Sequence, residues 1–189
     1  MVDIGSHNRI GAPAVSVLTN YDLHLLGEGT HVDAFNKLGA HVIEHAGTLG
    51  VHFAVWAPNA RRIAVVGDFN GWNGDAHAMH PLNASGYWEA FVPGLSSGAT
   101  YKFEVIGADG SRVLKADPCA RYFETPPQTA SIVWDSAYQW SDAVWMREQA
   151  SYEHWVRRPM SVYEVHLGSW RRSADGQLST YREMARTLV

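Results

Sequence analysis

Cysteine is almost missing from this sequence: Cys119 is its sole representative among 189 residues. No intrachain disulfide can form, so a reducing compartment is the expected setting. Long apolar runs are missing too. None approaches the ~20 residues of a membrane-spanning helix, and the N-terminus lacks the charged-then-apolar order of a secretory leader. The expectation is a cytoplasmic protein with no membrane partner. There is no excess of basic charge, since 15 Lys and Arg stand against 19 Asp and Glu. That balance gives no electrostatic footprint for nucleic acid. Gly-rich phosphate loops and Gly-x-Ser-x-Gly elbows are absent. His77-x-x-His80 is a close histidine pair with no cysteine nearby, short of the three or four converging ligands of a zinc site, so no metal and no cofactor are expected.

What the chain does have is tryptophan, eight residues of it, within an aromatic content of 12%. It also has a run of strand signals. Val51, Phe53 and Val55 alternate with His52, Ala54 and Trp56, the period of a half-buried strand. Ala57-Pro58-Asn59-Ala60 ends that run. Further strands are predicted at Ile63–Val66, Gly86–Val92, Thr100–Ile106, Val113–Leu114 and Ile132–Trp134, with a tight hairpin at Asp109-Gly110. Short strands at this spacing predict a sandwich of two antiparallel sheets. Residues 1–30 carry little pattern and read as a loose lead-in docked near Leu23 to Leu26. A short helix is predicted over Ser141–Ala150, with Val144 and Trp145 on its packing side. Met160 to Arg172 reads as a buried strand running into a polar loop. Thr180 and Glu183 form a capping box, and Tyr181, Met184, Ala185 and Leu188 make one apolar helical stripe. A strand, a loop and an amphipathic helix form one βα unit, which cannot bury both its faces alone.

Several of these segments resemble a known family. Val66-Gly67-Asp68-Phe69-Asn70-Gly71-Trp72-Asn73, with Phe53 to Ala60, Gly86-Tyr87-Trp88-Glu89 and Tyr101-Lys102-Phe103, is similar to the family 48 carbohydrate-binding modules of starch and glycogen enzymes. Tyr163-Glu164-Val165-His166-Leu167-Gly168-Ser169-Trp170 resembles the first strand of the family 13 glycoside hydrolase barrel, in the form carried by 1,4-α-glucan branching enzymes. The resemblance implies an immunoglobulin-like antiparallel β-sandwich followed by the first βα unit of a truncated (β/α)8 barrel. The implied division is a lead-in over 1–30, a sandwich over 31–138, a linker with a short helix over 139–160, and the start of the catalytic barrel over 161–189. Partners would be an α-glucan such as glycogen or amylose and the missing barrel.

Within the module the resemblance points to Trp72 and Lys102 as carbohydrate-binding residues. Trp72 either stacks on a sugar or packs against protein, and Lys102 is either a sugar ligand or a solvated strand lysine. Phe69 is expected to turn into the core. Glycogen-sensing relatives carry a second tryptophan after the Asp-Gly turn, where this chain has Ser111-Arg112-Val113. That difference favours a module whose main task is packing on the barrel. No catalytic residue is assigned, because the family's catalytic carboxylates lie on later barrel strands. Glu164 is read as a structural carboxylate, and His166 as lining the active-site floor. The expectation is therefore the inactive front end of a glycogen-biosynthetic branching enzyme. The alternatives are a free-standing glycogen-binding regulatory module, or the corresponding part of a debranching or trehalose-releasing relative.

Overall fold

The computed structural model describes residues 16–150 and 159–188, and the chain divides into two compact units at residues 137 and 138. The first unit contains nine strands among the described residues, all paired antiparallel. They are β1 (Gly39–His45), β2 (Thr48–Trp56), β3 (Ala60–Gly67), β4 (His80–Pro81), β5 (Tyr87–Pro93), β6 (Thr100–Gly107), β7 (Arg112–Lys115), β8 (Tyr122–Phe123) and β9 (Ser131–Ile132). One sheet has the order β1-β2-β5-β4. The other runs β3-β6-β9-β8, with β7 also paired to β6.

Period-two alternation builds the space between the sheets. Val51, Phe53, Val55, Trp88, Ala90 and Val92 from the first sheet meet Ile63, Val65, Tyr101, Phe103 and Val133 from the second. Tyr101 meets both Phe53 and Phe103 edge to face, the arrangement favoured by the ring quadrupoles. The Tyr101 hydroxyl donates to Asp117 Oδ2 at 2.6 Å inside this core, and Asp117 N–H donates to Ser131 Oγ at 2.9 Å. Burial raises the pKa of both Tyr101 and Asp117. This buried chain of polar groups fixes β9 beside β6.

The lead-in is more ordered than the sequence suggests. Residues 1–15 lie outside the described residues, but Asn20–Glu28 forms a helix, α1. Thr19 and Asp22 make a capping box. The helix ends on Gly29 in the left-handed region, where the missing Cβ removes the strain. Burial would raise the Asp22 pKa. Hydrogen bonds from Thr19, His31 and Lys37 outweigh it and hold the carboxyl well below the usual range. Leu18, Leu23 and Leu26 pack with Leu38 and Leu82 over Ala54 and Tyr87, on the outer face of the first sheet. That third layer explains why His52 and Ala54 are as buried as Val51 and Phe53: β2 is covered on both faces, not half-buried.

A buried carboxylate secures the layer. Glu89 Oε1 accepts the N–H groups of Val17 at 3.1 Å and Leu18 at 2.8 Å, and lies 3.1 Å from His52 Nε2. His80, opposite Glu89 on β4, places Nε2 3.9 Å from Glu89 Oε2.

In the second unit the described helices are α2 (Ala143–Ala150), α3 (Leu167–Trp170) and α4 (Tyr181–Leu188). Val144 and Trp145 do not pack as expected; both are more than half exposed. The predicted strand from Met160 does not form. Residues 160–166 carry no regular structure, because no described segment offers them a ladder partner. Glu164 and His166 are accordingly exposed rather than enclosed in a barrel. The Arg157-Arg158 part of the expected linker lies outside the described residues. The capping box on α4 does form: Thr180 N–H donates to Glu183 Oε2 at 2.7 Å, and Glu183 N–H to Thr180 Oγ1 at 3.3 Å. Its apolar stripe borders a hollow of about 390 Å³ with Leu167.

Burial alone would raise the Glu89 pKa, but the hydrogen bonds from His52 and Leu18 leave it below the usual range. A depressed folded-state pKa stabilises above the unfolded value and loses that stabilisation as pH falls through the folded value. Glu89→Ala is expected to cost about 1–3 kcal/mol, because it leaves the Val17 and Leu18 N–H groups without their buried acceptor. Urea unfolding should read that loss at neutral pH and a shrinking difference on acidification. Hydrogen exchange at Val17 and Leu18 should accelerate in the same variant.

Candidate functional site

The outward face of the second sheet carries both residues singled out in the sequence. On β6, Tyr101 and Phe103 point inward, so Thr100, Lys102 and Glu104 point outward. Beyond β3 the chain makes a 3₁₀ turn at Asp68–Asn70 and enters the loop holding Trp72. Asn70 is the staple of that loop. Its Oδ1 accepts Gly67 N–H at 3.0 Å, and its Nδ2 donates to the Val65 carbonyl at 3.0 Å. Phe69 packs against the core as expected and meets His77 edge to face. Desolvation lowers the His77 pKa.

Trp72 is partly buried and has a φ of 60°, a left-handed conformation that costs a bulky residue about 1–3 kcal/mol. Two contacts hold it there. Its backbone N–H donates to the Gly67 carbonyl at 2.9 Å, and its indole Nε1–H donates to Asp68 Oδ1 at 2.8 Å. Asp68 Oδ2 in turn accepts the Thr100 hydroxyl at 2.5 Å. The Thr100 and Trp72 bonds hold the Asp68 carboxyl below its ordinary pKa. The ring is therefore set by a relay from β6, not free to turn.

Lys102 lies two residues along the same face from Thr100 and donates Nζ–H to Thr129 Oγ1 at 2.6 Å. The next outward residue, Glu104, is buried under the returning loop. Gly74 passes so close that a Cβ there would lie 2.1 Å from Glu104 Oε1. Arg112 Nε donates to Glu104 at 2.8 Å, and Arg62 donates to the Gly74 carbonyl at 2.6 Å. These ion pairs fix the loop over one end of the sheet and leave the Trp72–Thr100–Lys102 end open. An indole face, hydroxyls and an ammonium on one shallow surface suit a polyhydroxylated ligand. Nothing in the set resembles a nucleophile–base pair. Among the described residues, no group of three or more His, Cys, Asp or Glu is placed to hold a metal.

Sequence reasoning singles out Trp72 and Lys102 but not Asp68, Thr100 or Thr129, which the structure places in contact with them. The signal for Asp68 was its place in the Gly67 to Trp72 turn. Thr100 and Thr129 are distant in sequence and meet the others only through strand register. A separate cleft of about 470 Å³ is lined by Leu26, Gly27, Trp56, Ser85 and Tyr87, on the α1 side.

Residues 37–120 match the family model of carbohydrate-binding module 48 (isoamylase N-terminal domain). The chain is 53% identical over 175 residues to the 1,4-alpha-glucan branching enzyme GlgB of Rubrobacter xylanophilus. That alignment covers 92% of this chain and 24% of the relative. It is 49% identical over 175 residues to the enzyme of the same name from Rhodospirillum rubrum, again covering 92% and 24%. The chain thus spans about a quarter of the length of these curated relatives. Among solved structures it is similar to Klebsiella pneumoniae pullulanase complexed with maltotriose, at 27% identity and a TM-score of 0.42, covering 52% of this chain and 9% of that one.

The Asp68 relay makes a spectroscopic prediction. The Trp72 indole N–H, assigned by its loss in Trp72→Phe, should exchange slowly with solvent in the parent protein and rapidly in Asp68→Ala. Because the Asp68 pKa is depressed, the contact should survive acidification through the ordinary aspartate range and fail only below it. An indole signal that titrates with an unshifted aspartate would contradict the relay.

Proposed function

We propose that this chain is the N-terminal, glucan-binding and packing portion of a 1,4-α-glucan branching enzyme. The whole enzyme would transfer α-1,4-glucan segments to 6-hydroxyls and so create α-1,6 branches in glycogen biosynthesis. One observation carries the reading. The likeness to branching enzymes covers 92% of the chain, whereas the carbohydrate-binding model ends at residue 120. A free-standing sugar module would have no reason to share the segment C-terminal to that residue.

The division proposed is a lead-in over 1–30, a glucan-binding sandwich over 31–138, a linker over 139–160 and the opening of the catalytic barrel over 161–189. Exposed Met160, Val162 and Tyr163 and the hollow beside α4 support the last assignment, since both present apolar surface that no other element covers among the described residues. In this reading Trp72 offers its ring to the C–H face of a glucose unit. Asp68 and Thr100 orient the indole, and Lys102 and Thr129 supply polar contacts to sugar hydroxyls. The cytoplasm, where glycogen is made, is the proposed setting. The attacking aspartate and the acid–base glutamate required by retaining glucan chemistry would lie in the remainder of the enzyme.

Two outcomes are expected. The 189-residue chain should leave iodine-stained amylose unchanged in a branching assay; clear activity would overturn the assignment. In affinity electrophoresis it should be retarded weakly by glycogen, with retardation reduced in both Trp72→Ala and Lys102→Ala. One partly buried indole face is worth only a few kcal/mol at ~25 cal/mol per Å². Sub-micromolar retention would instead favour a self-sufficient regulatory module.

A further inference from the structure

The outward face that holds Trp72 does not end at β6. Strand register continues it across β9 to β8: Thr100 pairs with Ile132, and Ile132 pairs with Tyr122. Residues directly opposite one another share a face, so Ile132 and Tyr122 point the same way as Thr100. Val133 is fully buried in the core, so Trp134 beside it faces outward as well. Tyr122 and Trp134 are diagonal neighbours, and their rings stack with centroids 4.9 Å apart and planes tilted by 33°.

These rings are not core residues. Tyr122 is 50% and Trp134 42% exposed. Single exposed aromatics are ordinary, but a braced pair on a sheet face is a patch. Each ring limits the motion of the other, so little freedom is lost on binding. The strand beneath is held from the inside, where Ser131 accepts the Asp117 N–H and Asp117 accepts the Tyr101 hydroxyl. The opposite side of Lys102 offers no aromatic counterpart. There the β6–β7 hairpin presents Ser111 and an Arg112 occupied by Glu104.

We infer that the Tyr122–Trp134 pair is a second glucan platform, which together with Trp72 holds one α-1,4-glucan chain across the outward face of the β3-β6-β9-β8 sheet. The inference rests on the glucan-binding reading of Trp72. The Trp72 loop leaves β3, and three strand spacings, about 15 Å, separate the β3 and β8 backbones. A trisaccharide held at Trp72 would not gain both platforms, whereas a longer chain would. The Thr100 hydroxyl on β6 and the Thr129 hydroxyl in the β8–β9 connection supply the polar contacts that stacking lacks. The platform therefore reads chain length: it adds nothing for a short oligosaccharide and adds affinity for a long one.

The experiment is calorimetric titration of the 189-residue chain with maltotriose and with maltoheptaose. Trp134→Ala should weaken maltoheptaose binding at least about fivefold and leave maltotriose unchanged, the size expected for one partly exposed ring. Tyr122→Ala should act in the same direction through loss of the brace. Trp134→Phe, which keeps a ring there, should recover part of the loss, and matching thermal melts establish that the variants are folded. Trp72→Ala should weaken both sugars. If Trp134→Ala binds maltoheptaose like the parent while Trp72→Ala does not, the second platform is wrong and the patch serves another purpose, such as contact with protein. If Trp72→Ala also leaves binding unaltered, or the parent binds neither sugar, the glucan reading falls with it.

Discussion

Strand β6 is the constraint on which the rest depends. Its side chains alternate between two incompatible environments. Tyr101 and Phe103 enter a dry core, and Thr100 and Lys102 stand at a wet face. A slip of one residue would exchange the two sets, sending an ammonium into the core and two aromatic rings to solvent. Core and outward face are therefore specified together. Four neighbours depend on this strand: β3 along one side, β7 and β9 along the other, and the Trp72 loop through the Thr100–Asp68 bond. The Tyr101–Asp117–Ser131 hydrogen bonds add a polar lock that a purely apolar core would not have.

Where a pattern is local and repeats, it could be read directly. The alternation in β6, the turn at Gly67 to Trp72 and the capping box of α4 each lie within a few residues, and each takes the expected form; β2 forms as a strand but is covered on both faces. At Asp109-Gly110 the hairpin also forms, although only Gly110 adopts a positive φ, with Asp109 serving through its side chain. The misses are non-local or depend on a partner. Helix α1 has a short apolar face, because part of its contact comes from Leu18 outside the helix. Its cap uses Asp22 rather than the glutamate or glutamine that marks a capping box most clearly. His52 and Glu89 are 37 positions apart and meet only through strand pairing. Strands β8 and β9 are two residues each, too short to register as alternation, so Tyr122 and Trp134 could not be placed on a common face in advance. The missing strand at residues 160–166 is the converse case. Its composition is strand-like, but a ladder takes two segments and only one is present among the described residues.

The two charged clusters on the first unit do different work. Glu89 is enclosed and takes the ends of a distant segment, so it converts a peripheral stretch into a third layer. Glu104 is enclosed on the other side and takes two arginines, so it holds a loop down and sets the boundary of the open surface. Both sit at outward-facing positions of their sheets, where a carboxylate would ordinarily be solvated. Covering them required partners: the donors around Glu89 converge on Oε1, and two arginines flank Glu104.

The helical plating on one sheet gives the first unit a sidedness. With α1 and its leucines laid over the back, the broad front is the area on which a polymer could rest. A front of this kind is a shelf, not a tunnel. Within the described part of the first unit, whatever lies on it is touched from beneath only. A polysaccharide strand could then be engaged anywhere along its length, with no need to thread a terminus.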